Sequence, residues 1–199
     1  MTDLKTALES LFGAETVPYG PRGHAVVPRT LAESARRASY GGTVVERDRA
    51  AEVELTDPLL EGEGLVGIRW TGTPPAGSGA RWSALVHGLA VLRLDVSERL
   101  AGDCVSYLSA RTTGDTRLLD QQLVRADLAD AGTDLAEVRV LLTGAPPPPD
   151  LLPGLHRRLT GLDRTLLRLL GASGFLADGP GRRAAVAELL SDAYVEELS

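Results

Sequence analysis

Leu85, Leu89, Leu92, Val96 and Leu100 recur at steps of three and four, and Leu128, Ala131, Leu135, Val138 and Leu142 do the same. That spacing lines apolar side chains along one stripe of an α-helix. The stretch from Ala80 to Leu142 therefore reads as two long amphipathic helices. Between them lies Arg111-Thr112-Thr113-Gly114-Asp115-Thr116, which is short and polar, so the helices should fold back on each other as an antiparallel hairpin.

The same period returns further on. Leu155, Leu159, Leu162, Leu166 and Leu169 mark a third long helix, which Gly171-Ala172-Ser173-Gly174 should end. Arg182 to about Glu197 reads as a fourth, with Val186, Leu189, Leu190 and Ala193 inward. Ala145-Pro146-Pro147-Pro148-Pro149 is a stiff extended spacer ahead of the third helix. Four helices with one apolar stripe each bury those stripes most economically as an antiparallel four-helix bundle, placed here at residues 80–199. The wide apolar face at Leu166, Leu167, Leu169 and Leu170 predicts that part of the bundle is covered by a second chain, as in a dimer.

Residues 1–79 have another texture. Thr2 to Phe12 reads as a short helix, and the capping-box spacing from Thr30 to Glu33 predicts a second from about Leu31 to Ser39. Thr43-Val44-Val45, Glu52-Val53-Glu54-Leu55 and Val66-Gly67-Ile68-Arg69-Trp70 are β-branched or alternating runs, which predicts two or three strands of a small antiparallel sheet. Thr71 to Gly79, with Pro74-Pro75 and Gly77-Ser78-Gly79, is the expected boundary. The fold class is thus mainly α: a four-helix bundle with a small N-terminal α+β portion.

Composition narrows the function. A formal charge of -6 gives no general basic face for nucleic acid or an anionic membrane. No run approaches the about 18 apolar residues a membrane span needs, and Met1 to Gly13 lacks the uninterrupted apolar core of a signal peptide. A cytoplasmic protein is expected. The one cysteine, Cys104, sits in an amphipathic pattern and reads as a small buried residue. His24, His87 and His156 share no metal-binding spacing, so no metal is expected, and no GxGxxG, Walker or GxSxG motif occurs.

Three polar features remain: Arg111 at a helix end, Gln121-Gln122 opening the next helix, and the glycine turn from Gly171 to Gly174. An arginine there serves either helix carbonyls or a phosphate. A glycine turn serves either as a helix cap or as a place for close backbone approach.

Tyr107-Leu108-Ser109-Ala110-Arg111-Thr112, Leu119-Asp120-Gln121-Gln122 and Leu170-Gly171-Ala172-Ser173-Gly174-Phe175-Leu176-Ala177-Asp178-Gly179-Pro180, taken in this order, resemble segments of the acyl-CoA dehydrogenase family. Residues from about Asp57 to Tyr194 look like its C-terminal helical domain, preceded by a remnant of its middle β-domain at Val53 to Gly64. The resemblance implies that these segments hold FAD across a subunit interface. Arg111 would lie on the pyrophosphate and the glycine loop against the adenosine side, so Arg111, Gln122, Gly171 and Gly174 are the implied cofactor-binding residues. The family's catalytic glutamate falls on Val195, or beyond Ser199 in another alignment, and the alternative site falls near Val86. The catalytic residue is therefore left unassigned, with Glu196 and Glu197 read as surface charges.

Three functions follow as expectations. The first is an acyl-CoA dehydrogenase-like subunit acting on an acyl thioester, either completing a flavin site with a full-length partner or using a reduced site of its own. It would assemble as a homodimer or as a hetero-oligomer with a full-length acyl-CoA dehydrogenase. The second is a non-catalytic assembly protein that keeps the bundle as a dimerisation surface. The third is a flavin-free enzyme on an acyl or polyketide-like substrate.

Overall fold

The computed structural model describes residues 3–72, 80–176 and 179–195. The chain divides into two compact units, residues 1–89 with 188–199, and residues 90–187.

In the first unit, α1 (Leu4–Phe12) is followed by β1 (Thr16–Tyr19), β2 (His24–Pro28), α2 (Arg29–Ser34), β3 (Arg37–Tyr40), β4 (Thr43–Glu46), β5 (Glu52–Leu55), α3 (Pro58–Gly62) and β6 (Leu65–Trp70). Two three-stranded sheets result, ordered β1-β3-β4 and β2-β6-β5. The strands alternate as strands must: Val17 and Tyr19, Ala25 and Val27, Ala38 and Tyr40, and Val66 and Ile68 all turn into one core. Tyr19 stacks on Tyr40 at 5.0 Å between ring centroids, and Tyr40 meets Trp70 at 4.5 Å.

Three expectations for this unit change. The helix expected from Leu31 to Ser39 starts at Arg29 and stops at Ser34, because Ala35 is extended and Arg37–Tyr40 pairs with a strand on each side. Two partners for its backbone outweigh the helical preference of Ala35 and Arg36. The capping box does not form, since Pro28 is the N-cap and no side chain caps the helix. The one small sheet expected is instead two, with β4 in one and β5 and β6 in the other, and the first is not wholly antiparallel. β1 and β2 were hidden by Pro18 and Pro28, and β1 runs parallel to β3. Pro18 is tolerated because β1 is an edge strand.

The second unit takes most of α4 (Ala80–Ser109), then β7 (Thr112–Thr113), β8 (Thr116–Arg117), α5 (Gln122–Thr143), α6 (Leu152–Leu170) and the start of α7 (Gly181–Tyr194). Leu100, Cys104 and Leu108 of α4 join Ala131, Leu135, Val138 and Leu142 of α5, the Leu155-Leu159-Leu162-Leu166-Leu170 stripe of α6 and Ala184 of α7 in one core. The stripes read from the sequence run along the buried faces at Leu89, Val96, Leu100, Ala131 to Leu142 and Leu155 to Leu166. Leu85, Leu92, Leu128, Leu169 and Leu189 are half-buried, and the buried face of α4 also takes in Val86, Ala90 and Leu94. Arg139 reaches Glu98 at 2.7 Å, tying α5 to α4, and Arg158 ties α6 to Asp134 at 2.5 Å and to Glu137 of α5. The polyproline spacer is extended at Pro148 (φ -51°, ψ 139°), and only its last residue, Pro149, enters the 3-10 turn to Leu151 that leads into α6.

The apolar face expected to stay open at Leu166 to Leu170 is closed within the chain. Leu166 and Leu170 are buried, and Leu167 and Leu169 pack partly against the core. The exposed apolar side chains of this unit lie elsewhere, with Leu123 81% and Val140 72% exposed on α5 and Phe175 72% exposed after the glycine turn. The linker residues from Thr73 to Gly79, Ala177 and Asp178 of the glycine-loop segment, and Glu196 and Glu197 lie outside the described residues.

Candidate functional site

Tyr107 lies in the last turn of α4, and Arg111 follows two residues past the end of that helix at Ser109. The Arg111 guanidinium carbon lies 4.3 Å above the Tyr107 ring centroid, which holds the cation flat and outward by cation–π attraction. Arg111 is exposed. Its backbone carbonyl accepts the Leu118 N–H at 2.8 Å, closing a hairpin whose turn is Gly114-Asp115. Gly114 has φ +61°, a left-handed conformation that glycine adopts without strain.

Leu118 opens a 3-10 turn that ends on Gln121, the N-cap of α5. Gln121 makes no side-chain cap bond and the first turn of α5 has no acidic residue. Gln121 and Gln122 are both exposed. A 22-residue helix thus begins with free amides and the positive end of its dipole, tied through Leu118 to an outward-facing arginine. That is the donor set a phosphate or pyrophosphate requires.

The glycine turn is differently built. Gly171 caps α6 with φ +58° and has open space on its Cβ side. Gly174 is sealed: a Cβ there would lie 3.1 Å from Leu170 Cβ and 3.2 Å from Leu167 Cδ2. Gly181, opening α7, sits so close that its Cβ would meet the Gly174 carbonyl oxygen at 2.0 Å. The turn owes Gly174 and Gly181 to its own packing, and only Gly171 leaves backbone open to approach. Backbone hydrogen bonds run from Arg111 through Leu118 to Gln121, the residue before Gln122, and among the described residues no hydrogen bond or ring contact joins Gly171 or Gly174 to Arg111 or Gln122.

Val86 and Val195, the two positions where the resemblance puts a catalytic base, are both buried valines. General-base chemistry needs a proton acceptor within hydrogen-bond reach, and neither supplies one.

The sequence reading missed a buried polar cluster inside the bundle. Arg93 is fully buried and crosses from α4 to α6, where its Nη1 donates to His156 Nδ1 and to the His156 carbonyl, both at 3.1 Å, and its Nη2 donates to Thr160 Oγ1 at 2.6 Å. An arginine N–H can only donate, so His156 Nδ1 accepts and His156 holds its proton on Nε2. Ser97 and Asp163 are buried in the same helices, α4 and α6. The signal was present: Arg93 falls four residues after Leu89 and three before Val96, on the apolar stripe itself.

No family model matches the chain, and no curated protein matches it. Solved structures do. The fold is that of the acyl-CoA dehydrogenases. Butyryl-CoA dehydrogenase from Megasphaera elsdenii is 13% identical with a TM-score of 0.57, over 89% of this chain and 58% of its own. A glutaryl-CoA dehydrogenase from Mycobacterium smegmatis in complex with FADH2 is 17% identical with a TM-score of 0.60, over 89% and 56%. The ChsE4-ChsE5 complex from Mycobacterium tuberculosis gives 18% identity and a TM-score of 0.58, over 90% and 58%. The chain therefore spans less than two thirds of the length of these proteins. Among the described residues no helix is long and apolar enough to cross a membrane.

Proposed function

We propose that this chain is a reduced acyl-CoA dehydrogenase-like subunit that contributes part of a flavin site. The carrying observation is the outward-facing Arg111, stacked on Tyr107 and joined through Leu118 by backbone hydrogen bonds to Gln121, the uncapped start of α5 next to Gln122. Arg111 and Gln122 would hold the pyrophosphate of FAD, and the open backbone at Gly171 would face the adenosine side. FAD supplies, when bound, the hydride acceptor for oxidation of an acyl thioester. The chain's own residues bind and orient: Arg111 neutralises phosphate charge, and the free amides of α5 add hydrogen bonds along the helix dipole. The site is completed by a second subunit, either another copy or a full-length acyl-CoA dehydrogenase, which also supplies the base that Val86 and Val195 do not.

Titrating FAD into the purified chain, alone and mixed with a full-length acyl-CoA dehydrogenase, tests this. Saturable quenching of flavin fluorescence is expected, with R111A about tenfold weaker through loss of one charge-assisted interaction. No saturable signal in either mixture overturns the reading. A second reading, a non-catalytic assembly protein, is supported by the buried valines at both base positions. It predicts a stable oligomer that R111A leaves intact and that has no turnover.

A further inference from the structure

The outer face of the β2-β6-β5 sheet carries a groove with a glycine floor. In register, His24 and Val26 of β2 lie beside Arg69 and Gly67 of β6, and these beside Val53 and Leu55 of β5. The opposite face, with Ala25, Val27, Val66 and Ile68, is the buried core, so these residues look outward. Gly67, in the central strand, leaves a gap where any side chain would press on its neighbours: a Cβ there would lie 3.2 Å from Leu55 Cβ and 3.5 Å from Leu60 Cδ1. The resulting cavity, about 580 Å³, is walled by Val26, Leu55, Leu60, Leu189 and Ala193. That volume falls in the ordinary range for small-molecule sites.

Its polar lining is Arg22, His24, Thr56, Asp57 and Asp192, of which Asp192 is exposed and neighbours Arg22. At one end Arg22 and His24 line the cavity, and Arg69 is the cross-strand partner of His24. Arg22 is fixed by donating Nη2 to the Asp192 backbone carbonyl at 2.5 Å, and its other N–H groups make no bond among the described residues. Burial, then the charges of Arg22 and Arg69, hold the His24 imidazole below its usual ionisation range, so it stays neutral and offers one N–H. The acid at the other end, Asp57, is turned to the start of α3, accepting from Leu59 N at 2.8 Å and Leu60 N at 3.4 Å. An apolar slot thus ends in a guanidinium and a neutral imidazole with donors to spare.

We infer that this groove binds an organic acid with a flat apolar body, its carboxylate at Arg22 and His24 and its body over Gly67 between Leu55, Leu60 and Leu189. The site lies wholly in the first unit and does not depend on the flavin reading.

Calorimetric titration of the chain with 2-naphthoate, and with neutral 2-naphthamide as control, tests it. One saturable site for naphthoate is expected, with the amide about tenfold weaker because the charge-assisted bond is lost. R22Q, an exposed change that leaves the fold intact, should bring naphthoate down to the affinity of the amide, and G67V should abolish binding of both. Absence of saturable naphthoate binding, or equal affinity in the wild type and R22Q, overturns the proposal. Neither result bears on flavin binding, which R111A reads separately.

Discussion

The Tyr194 hydroxyl closes on the backbone of Val26, donating to its carbonyl at 3.0 Å and accepting from its N–H at 3.0 Å. Val26 lies in β2, an edge strand of its sheet, and one phenol at the end of α7 satisfies both of its outward groups. Tyr194 is fully buried and packs against Phe12 and Trp82. Y194F keeps those ring contacts and leaves a buried N–H and C=O without their partner. It should cost about 2–4 kcal/mol of stability, read as a lowered urea midpoint with little change in m-value, whereas an exposed hydroxyl would cost almost nothing.

Alkaline pH should destabilise the first unit. Burial, first, raises the ionisation of Tyr19 and Tyr194 far above the ordinary 10.0, and burial with the Glu52 charge raises Tyr40 to about 12. In the unfolded chain all three lose their protons near 10. Above that pH the unfolded state binds fewer protons than the folded one, so stability falls as pH rises. Stability is fully present below about pH 10 and declines from there, and urea midpoints at stepped pH should show a steeper decline in the wild type than in Y194F.

The helices were legible because burial in a bundle writes a 3.6-residue period into the chain, and Leu128 to Leu142 or Leu155 to Leu166 give it with few exceptions. The strands were less so. Pro18 and Pro28 masked β1 and β2, and Arg37–Tyr40 is a strand only because β1 and β4 flank it, a fact no local window contains. Part of the site could be read locally: Tyr107 and Arg111 are four residues apart, and a glutamine at the N-cap instead of Ser, Thr, Asp or Asn marks an uncapped helix. The sealing of Gly174 could not, since it depends on Gly181 meeting it across a turn.

Cys104 is fully buried, its Sγ 3.8 Å from the Leu166 carbonyl it faces, and burial pushes its thiol up to about 11. The thiolate is the reactive form, so at pH 8 a thiol reagent should label the native chain only through opening of the bundle. Labelling rates should rise in step with the unfolded fraction as urea is added. Rapid labelling without urea would show that α4 and α6 separate locally.

Arg93 hydrogen-bonds His156 and Thr160 from α4 to α6. R93A removes these bonds and opens a cavity in the core, so a loss of about 3–5 kcal/mol is expected. R93M fills the space and should recover part of that loss. A cost below about 1 kcal/mol for R93A, the level of a surface pair, would mean the cluster adds little to the pairing of these helices. Chemical denaturation of the two variants side by side separates the polar contribution from the packing one.

Gly171 and Gly181 are required for different reasons, and the same substitution should separate them. At Gly171 an added methyl meets open space, so G171A costs only backbone strain. There φ +58° with ψ -141° is a region essentially reserved for glycine, at about 1–3 kcal/mol, and G171N should recover none of it because asparagine favours a ψ of about +47°. At Gly181 the backbone is unstrained, but the methyl would stand 2.0 Å from the Gly174 carbonyl oxygen and 2.5 Å from Leu167 Cδ2. A backbone atom cannot step aside as a side-chain end can, so the turn must open, at a cost of about 2–3 kcal/mol. G181N can give no relief, since steric room and not φ is limiting there. Thermal melts of the four variants should therefore show G171A and G171N lowered alike, whereas G181N, with the larger side chain in a closed space, should melt below G181A.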